Sequence, residues 1–313
     1  MIATSLQRKR YTLLTDVLKN RSCYVMVLPA LLYTFVFGYM ALPYLLTAFQ
    51  KFDYRTGIFD SVWVGFKNFE FFFKSNNAAT VTRNTIKLNV LFIVFVTIAS
   101  IALAIFLNEL KSRKFSKFFQ SSYLMPHFLS WVVVSYIIFG LLSTNYGVVN
   151  KILVFFKLEP VNWYATAEPW TAILVFMRIW KTAGMQSVIF LAAIVGIDKQ
   201  LYEAAEIDGA GRWKMMTSIT LPLIAPTVAI VTLLAIGRIM YADFGMIYAI
   251  IGDNGILYET ADVIDTYVFR TLRLLGNPAQ AMAVGIYQAA IGFILVFGSN
   301  LLVKKTFKEG ALF

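Results

Sequence analysis

Arg178 and Lys181 stand three positions apart inside the otherwise uncharged run from Trp170 to Gly196. A charge within a run this apolar is costly in a membrane, so such residues face an aqueous cavity or a partner unless they lie close enough to an end to snorkel. Spacing of three puts both cations on one helix face. Two readings stay open: a polar path past that face, or two side chains reaching the outer interface. Catalysis finds little support. No Ser/His, His/Glu or paired-Asp constellation falls within the apolar runs, and the chain has a single cysteine, Cys23, and a single histidine, His127. One thiol excludes an internal disulfide and any multi-thiolate metal site, and one imidazole leaves too few nitrogen ligands for a zinc enzyme. There is no G-x-x-x-x-G-K-[ST] loop to cradle ATP phosphates.

The elements that must position these residues are membrane spans. The chain has 313 residues, 59% of them apolar and only 14% charged, against about 25% charged in soluble domains. A span needs about 20 predominantly apolar residues, and six segments qualify, at about 25–48, 88–107, 123–142, 170–196, 219–241 and 279–303. Backbone polar groups in lipid must bond internally, so all six are predicted as helices and the fold class as all-α, polytopic. Val148–Phe156 is too short to span and is expected at the interface or as a re-entrant piece. The basic start, followed by the uncharged run Ser22–Gln50, resembles a signal peptide, but the run is too long and reads as an uncleaved first span.

Lys and Arg (28, against 17 Asp and Glu) are roughly twofold denser in 1–21, 108–122, 198–218 and 304–313 than in the intervening loops. The positive-inside rule then places both termini in the cytoplasm and accounts for the basic excess without nucleic acid. The cluster Lys111, Arg113, Lys114, Lys117 sets topology rather than binding a particular lipid, and Phe69–Phe73 is an interfacial anchor facing membrane lipid. The expected organisation is a cytoplasmic segment 1–24, a six-span domain 25–303 with a cytoplasmic loop at 198–218, and a tail 304–313. Arg238, Tyr241 and Asp243 end the fifth span and are placed at the outer mouth. Asp262 and Asp265 read as a solvated loop face or a contact to an extracellular protein.

The loop at 198–218 is the most informative stretch. Leu201–Ile207 is built from strong helix formers. Gly209 and Gly211 break that helix and permit backbone angles other residues avoid. A second basic and apolar turn runs from Arg212 to Met216, and Pro222 opens the return to the membrane. The outcome is a bent pair of short helices along the membrane face, shaped to dock in a groove of a soluble partner.

Glu203-Ala204-Ala205, then Gly209, then Ile219-x-Leu221-Pro222 resembles, at every element and spacing, the hallmark of permease subunits of binding-protein-dependent ABC importers. Trp63–Phe69, with Val64-Gly65 and Asn68-Phe69, is similar to a signature of carbohydrate-type permeases, and Tyr123–Trp131 and Asp262–Val268 to the oligosaccharide and polysaccharide subgroup. The resemblance implies a type I importer permease fold like that of the maltose importer's membrane subunits, in a bacterial cell membrane. It implies a second homologous permease, an ABC ATPase dimer carrying ATP and Mg, no cofactor on this chain, and an extracellular solute-binding protein delivering an oligosaccharide. Glu203, Ala204, Ala205, Asp208, Gly209 and Ala210 would form the helix that seats in the ATPase. Sugars are bound by stacked aromatic rings and by polar groups on their hydroxyls, so Trp131, Tyr136, Phe176, Arg178, Lys181 and Gln186 are the expected path. Aromatics taken alone are more often lipid-facing or core than part of such a path. A glycerol phosphate ester or a peptide remains an alternative cargo, and a stand-alone secondary transporter an alternative machine. The absence of an internal repeat weighs against the latter.

Overall fold

The computed structural model describes residues 19–306, mostly helical. The outermost parts of the two expected cytoplasmic ends, 1–18 and 307–313, lie outside the described residues. The first span, Arg21–Phe49, is α1 (Arg21–Thr34), a π turn (Phe35–Tyr39) and a 3-10 segment (Leu42–Phe49). Its most apolar stretch buries no residue against the rest of the chain. A two-stranded hairpin, β1 (Gln50–Lys51) with β2 (Val62–Trp63), follows antiparallel. Asn68, which the sequence marks as part of a motif, holds that hairpin: its Nδ2 donates to the carbonyls of Ala48 and Gln50, both at 2.9 Å.

The frame of the bundle is α2 (Asn76–Glu109) against α6 (Trp170–Val195), the most extensive helix pair. Between them come α3 (Arg113–Leu124), α4 (Trp131–Leu142) and α5 (Val148–Phe155). The α2–α6 seam carries Ser100, Ala104 and Ala183, small residues that let backbones approach as membrane helices require. Ser100 Oγ donates to the Ala183 carbonyl at 3.0 Å. After α6 come α7 (Lys199–Ile207), α8 (Arg212–Met215), a π turn (Met216–Thr220) and α9 (Leu221–Ile236), then α10 (Phe244–Ile251), α11 (Ile264–Arg273) and α12 (Pro278–Thr306). Among the described residues five helices are long and apolar enough to cross a membrane, and a sixth span is made if the bent pair counts as one.

Two expected spans differ from the continuous helices the sequence suggests. The third, expected as one helix over 123–142, is broken: Lys114–Phe128 and Trp131–Leu142 meet at 99°. Pro126 has no N–H to continue the helical ladder. Four residues on, Ser130 starts a new helix by accepting from the Val133 N–H at 3.2 Å. The fifth, expected over 219–241, stops as a helix at Ile236, and 237–243 is irregular.

Asp262 and Asp265 are not on a solvated loop. Asp262 is buried and pairs with Arg270 at 2.5 Å, whose guanidinium lies 4.0 Å from the centre of the Tyr258 ring. Asp265 accepts from the Ala242 N–H at 2.8 Å and from Gln288 at 3.2 Å. These bonds fold the segment after α9 back into the bundle.

Candidate functional site

Irregular backbone inside a membrane protein survives only where its polar groups find partners or line a wet space, and both breaks have such partners. At 237–243 the Ile239 carbonyl accepts from Asn89 at 2.9 Å and the Met240 carbonyl from Gln288 at 2.7 Å. Asp243 then caps α10 by accepting from the Met246 N–H at 3.0 Å. At the other break, Lys181 Nζ donates to the carbonyls of His127 at 2.8 Å and Leu129 at 2.6 Å, with Pro126 at 3.5 Å. The bend leaves the His127 and Leu129 carbonyls without helical partners, while the Pro126 carbonyl also accepts from the Leu129 N–H at 3.2 Å, and a cation is the favoured group there.

One face of α6 serves both breaks. Arg178 forms an ion pair with Asp243, and Lys181 sits one turn further along. Trp131 ties the two together: its indole N–H donates to Asp243 Oδ2 at 3.0 Å, and Lys181 Nζ lies 5.1 Å from its ring centre. Arg178 is nine residues into α6, roughly 12 Å from that helix's start. The pair is therefore well inside the span and does not snorkel. Lys181 is only 7% exposed, so it neither snorkels nor opens on a path. It locks the bend of the third span. Lys181→Met keeps the chain length and removes the donor, leaving the His127 and Leu129 carbonyls unpaired at a cost of about 2–4 kcal/mol. The expected result is a lower thermal unfolding midpoint for the purified membrane protein; an unchanged midpoint would refute the lock.

Beside this network lies a cavity of about 380 Å³, walled by α2, α6 and the 237–243 segment. Its polar lining is Asn89, Thr97, Thr182, Gln186 and Tyr241 together with Arg178, Asp243 and Arg238, and its apolar wall includes Phe92, Ile93, Val96 and Ala235. Of the six expected path residues, Arg178 and Gln186 reach this cavity, and Trp131 touches it only through Asp243. Tyr136 and Phe176 point elsewhere, 74% and 60% exposed, with Phe176 on a separate apolar groove beside Ile138 and Met177. Arg238, Tyr241 and Asp243, just beyond the end of α9, line the same cavity as Arg178. Asn89 and Thr97 are additions. Polar residues within the apolar run 88–107 were the signal that could have found them.

The second site is the α7–α8 hairpin. Asp198 caps α7 by accepting from the Gln200 N–H at 3.0 Å. The helix ends in a Schellman turn: the Ala210 N–H donates to the Ala205 carbonyl at 2.9 Å, and the Gly209 N–H to the Glu206 carbonyl at 3.0 Å. Gly209 has φ +77°, the left-handed conformation such a turn needs. Tyr202 and Thr220 share a hydrogen bond of 2.9 Å, anchoring the hairpin to the start of α9. Arg212 and Glu109 pair at 3.3 Å, a link to α2 worth little at this exposure. The outward face stays unpartnered. Glu203, Ala204, Asp208 and Gly209 are exposed, Ala205 and Ala210 half-buried, and Ile207 and Trp213 stand 86% and 75% exposed on either side of the turn. Two large apolar side chains therefore stand uncovered on either side of a bend with acidic neighbours.

Residues 87–308 match the family described as the binding-protein-dependent transport system inner membrane component. The chain is 36% identical to the polygalacturonan/rhamnogalacturonan transport system permease protein YteP of Bacillus subtilis (strain 168), over 97% of this chain and 94% of that one. It is 34% identical to the protein LplB of the same organism, over 93% and 91%. Among solved structures, a bacterial ABC transporter that imports the acidic polysaccharide alginate superposes with a TM-score of 0.86 at 33% identity, over 94% of this chain and 99% of that one. The same type of transporter, in complex with an alginate pentasaccharide-bound periplasmic protein, gives 0.85 at 33% identity, over 95% and 98%. A bundle of this shape, carrying the Glu203–Pro222 pattern on an outward-facing hairpin, belongs to the family of binding-protein-dependent transport system inner membrane components.

Proposed function

We propose that the chain is the membrane-spanning subunit of an ATP-driven importer that takes up oligosaccharides handed over by an extracellular solute-binding protein. A second, homologous permease completes the passage, and the α7–α8 hairpin takes work from an ABC ATPase dimer on the cytoplasmic side. The observation that carries the reading is the hairpin: a pre-shaped turn, fixed to the bundle at its base and unpartnered at its tip, on a chain with no phosphate-binding loop of its own. ATP can move the spans only through a difference in affinity between two ATPase arrangements, and a rigid hairpin transmits such a difference. The cavity beside Arg178 and Gln186 is the sugar path, with Tyr241 as the aromatic face and Asn89, Thr97 and Thr182 as groups for hydroxyls. The cargo class rests on the relatives, whose names speak of polygalacturonan, rhamnogalacturonan and alginate.

Co-purification tests the assembly. The expected result is one copy of this chain with a second permease and two ATPase subunits, and oligosaccharide uptake that requires all of them together with the binding protein. Uptake by the chain alone in proteoliposomes would overturn the reading, as would labelling of a cysteine introduced at Ala204 by an impermeant reagent outside the cell.

A further inference from the structure

Three charged residues line the cavity, and they do not balance. Arg178 is neutralised by Asp243. Arg238 lines the same space with no carboxylate of the described residues within ion-pair distance. The lining therefore holds one cation in excess. Arg238 is exposed on this cavity and unpaired, so its guanidinium is free to meet a ligand, whereas sugar hydroxyls are served by the Asn, Thr, Gln and Tyr groups already there. A carboxylate is the group that matches a free guanidinium. The planar fork of arginine binds a carboxylate through two parallel N–H···O bonds, and an apolar wall strengthens them. Tyr241, three residues from Arg238 and on the same cavity, offers a ring for the sugar that carries the acid. A solved relative imports an acidic polysaccharide.

From this imbalance we infer that Arg238 is the specificity-determining residue of the path, and that the cargo is an oligosaccharide containing uronic acid units, each carboxylate passing over the Arg238 guanidinium. The inference rests on the proposed importer function and names the cargo class of that same cavity.

The test uses the assembled importer with its binding protein in proteoliposomes. The probes are trigalacturonate, its methyl ester, a neutral trisaccharide and glycerol phosphate esters. Wild type is expected to take up trigalacturonate in preference to the ester. R238Q should lower trigalacturonate uptake by about tenfold or more, the span of a charge-assisted hydrogen bond, while leaving ester uptake and ATPase stimulation by the loaded binding protein in place. R238K should recover part of the loss. Equal losses for acid and ester would make Arg238 merely structural and overturn the inference. So would a wild type that prefers neutral sugars or accepts only phosphate esters. Failure of the wild type to take up any saccharide, with its ATPase still stimulated by another solute, would instead bring down the oligosaccharide reading itself.

Discussion

Glu203→Lys is expected to bring uptake down to background, a fall on the order of a hundredfold, while the chain still assembles in the membrane at normal levels. Charge reversal at a desolvated interface costs several kcal/mol, which sets that scale. The separation of assembly from activity follows from where Glu203 sits. It is exposed on α7 and has no ion pair with any described residue, so its loss removes no bond within the bundle. On the proposed coupling to an ATPase, the damage would fall on that contact alone. Gly209 gives a second reading of the same surface. Its φ of +77° is open to Asn and Asp at modest cost and is a genuine outlier for a β-branched residue, while the space around it is empty. Gly209→Asn is therefore expected to keep the Schellman turn and most of the uptake. Gly209→Val should lose the turn, and Gly209→Asp should keep it yet place a further negative charge beside Asp208 and uncouple. ATP binding by the ATPase should be intact in all of these. Wild-type uptake by Glu203→Lys or Gly209→Asp at normal expression would remove the hairpin from the coupling mechanism.

The hairpin was legible in the sequence because its signals are local. Helix formers, two glycines and a proline follow one another within about twenty residues, and each acts through its own backbone. The spans were legible because lipid leaves one solution for an apolar run. The breaks at 129–130 and 237–243 were not, because what permits them is distant. Pro126 alone is compatible with a kinked helix; the 99° bend holds because Lys181, more than fifty residues on, supplies the missing donor. The same distance hid the pairing of Arg178 with Asp243 and of Asp262 with Arg270. Spacing showed that Arg178 and Lys181 share a face, yet not that one meets a carboxylate beside the cavity and the other is enclosed. Tyr136 and Phe176 were proposed from residue type, and type does not say which way an aromatic ring points.

Gly184 carries the other large effect. In sequence it is an isolated glycine in a helix, a position where alanine should be better by about 1 kcal/mol. In the fold it is where α3 crosses α6. A Cβ built on Gly184 would fall inside the Tyr123 carbonyl group, with the Tyr123 ring at 2.9 Å as well. A flexible side chain could swing away, but here the obstacle is backbone, and that backbone cannot retreat. The carbonyls just beyond it, at His127 and Leu129, are held by Lys181 one turn earlier on the same helix. Gly184→Ala must therefore either push α3 off α6 and break the Lys181 bonds, or keep them and accept the overlap. Overpacking a rigid site costs about 1–3 kcal/mol for a methylene, and here the helix-propensity gain is too small to cancel it. Gly184→Ala is expected to lower the thermal midpoint clearly, and Gly184→Val to leave no assembled protein. Gly140 in α4 is the matched control, since a Cβ there meets nothing within 4 Å. Gly140→Ala should be neutral or stabilising by a few tenths of a kcal/mol to about 1. Equal midpoints for the two alanine variants would mean that the close approach of Tyr123 to Gly184 is not what seats the broken third span.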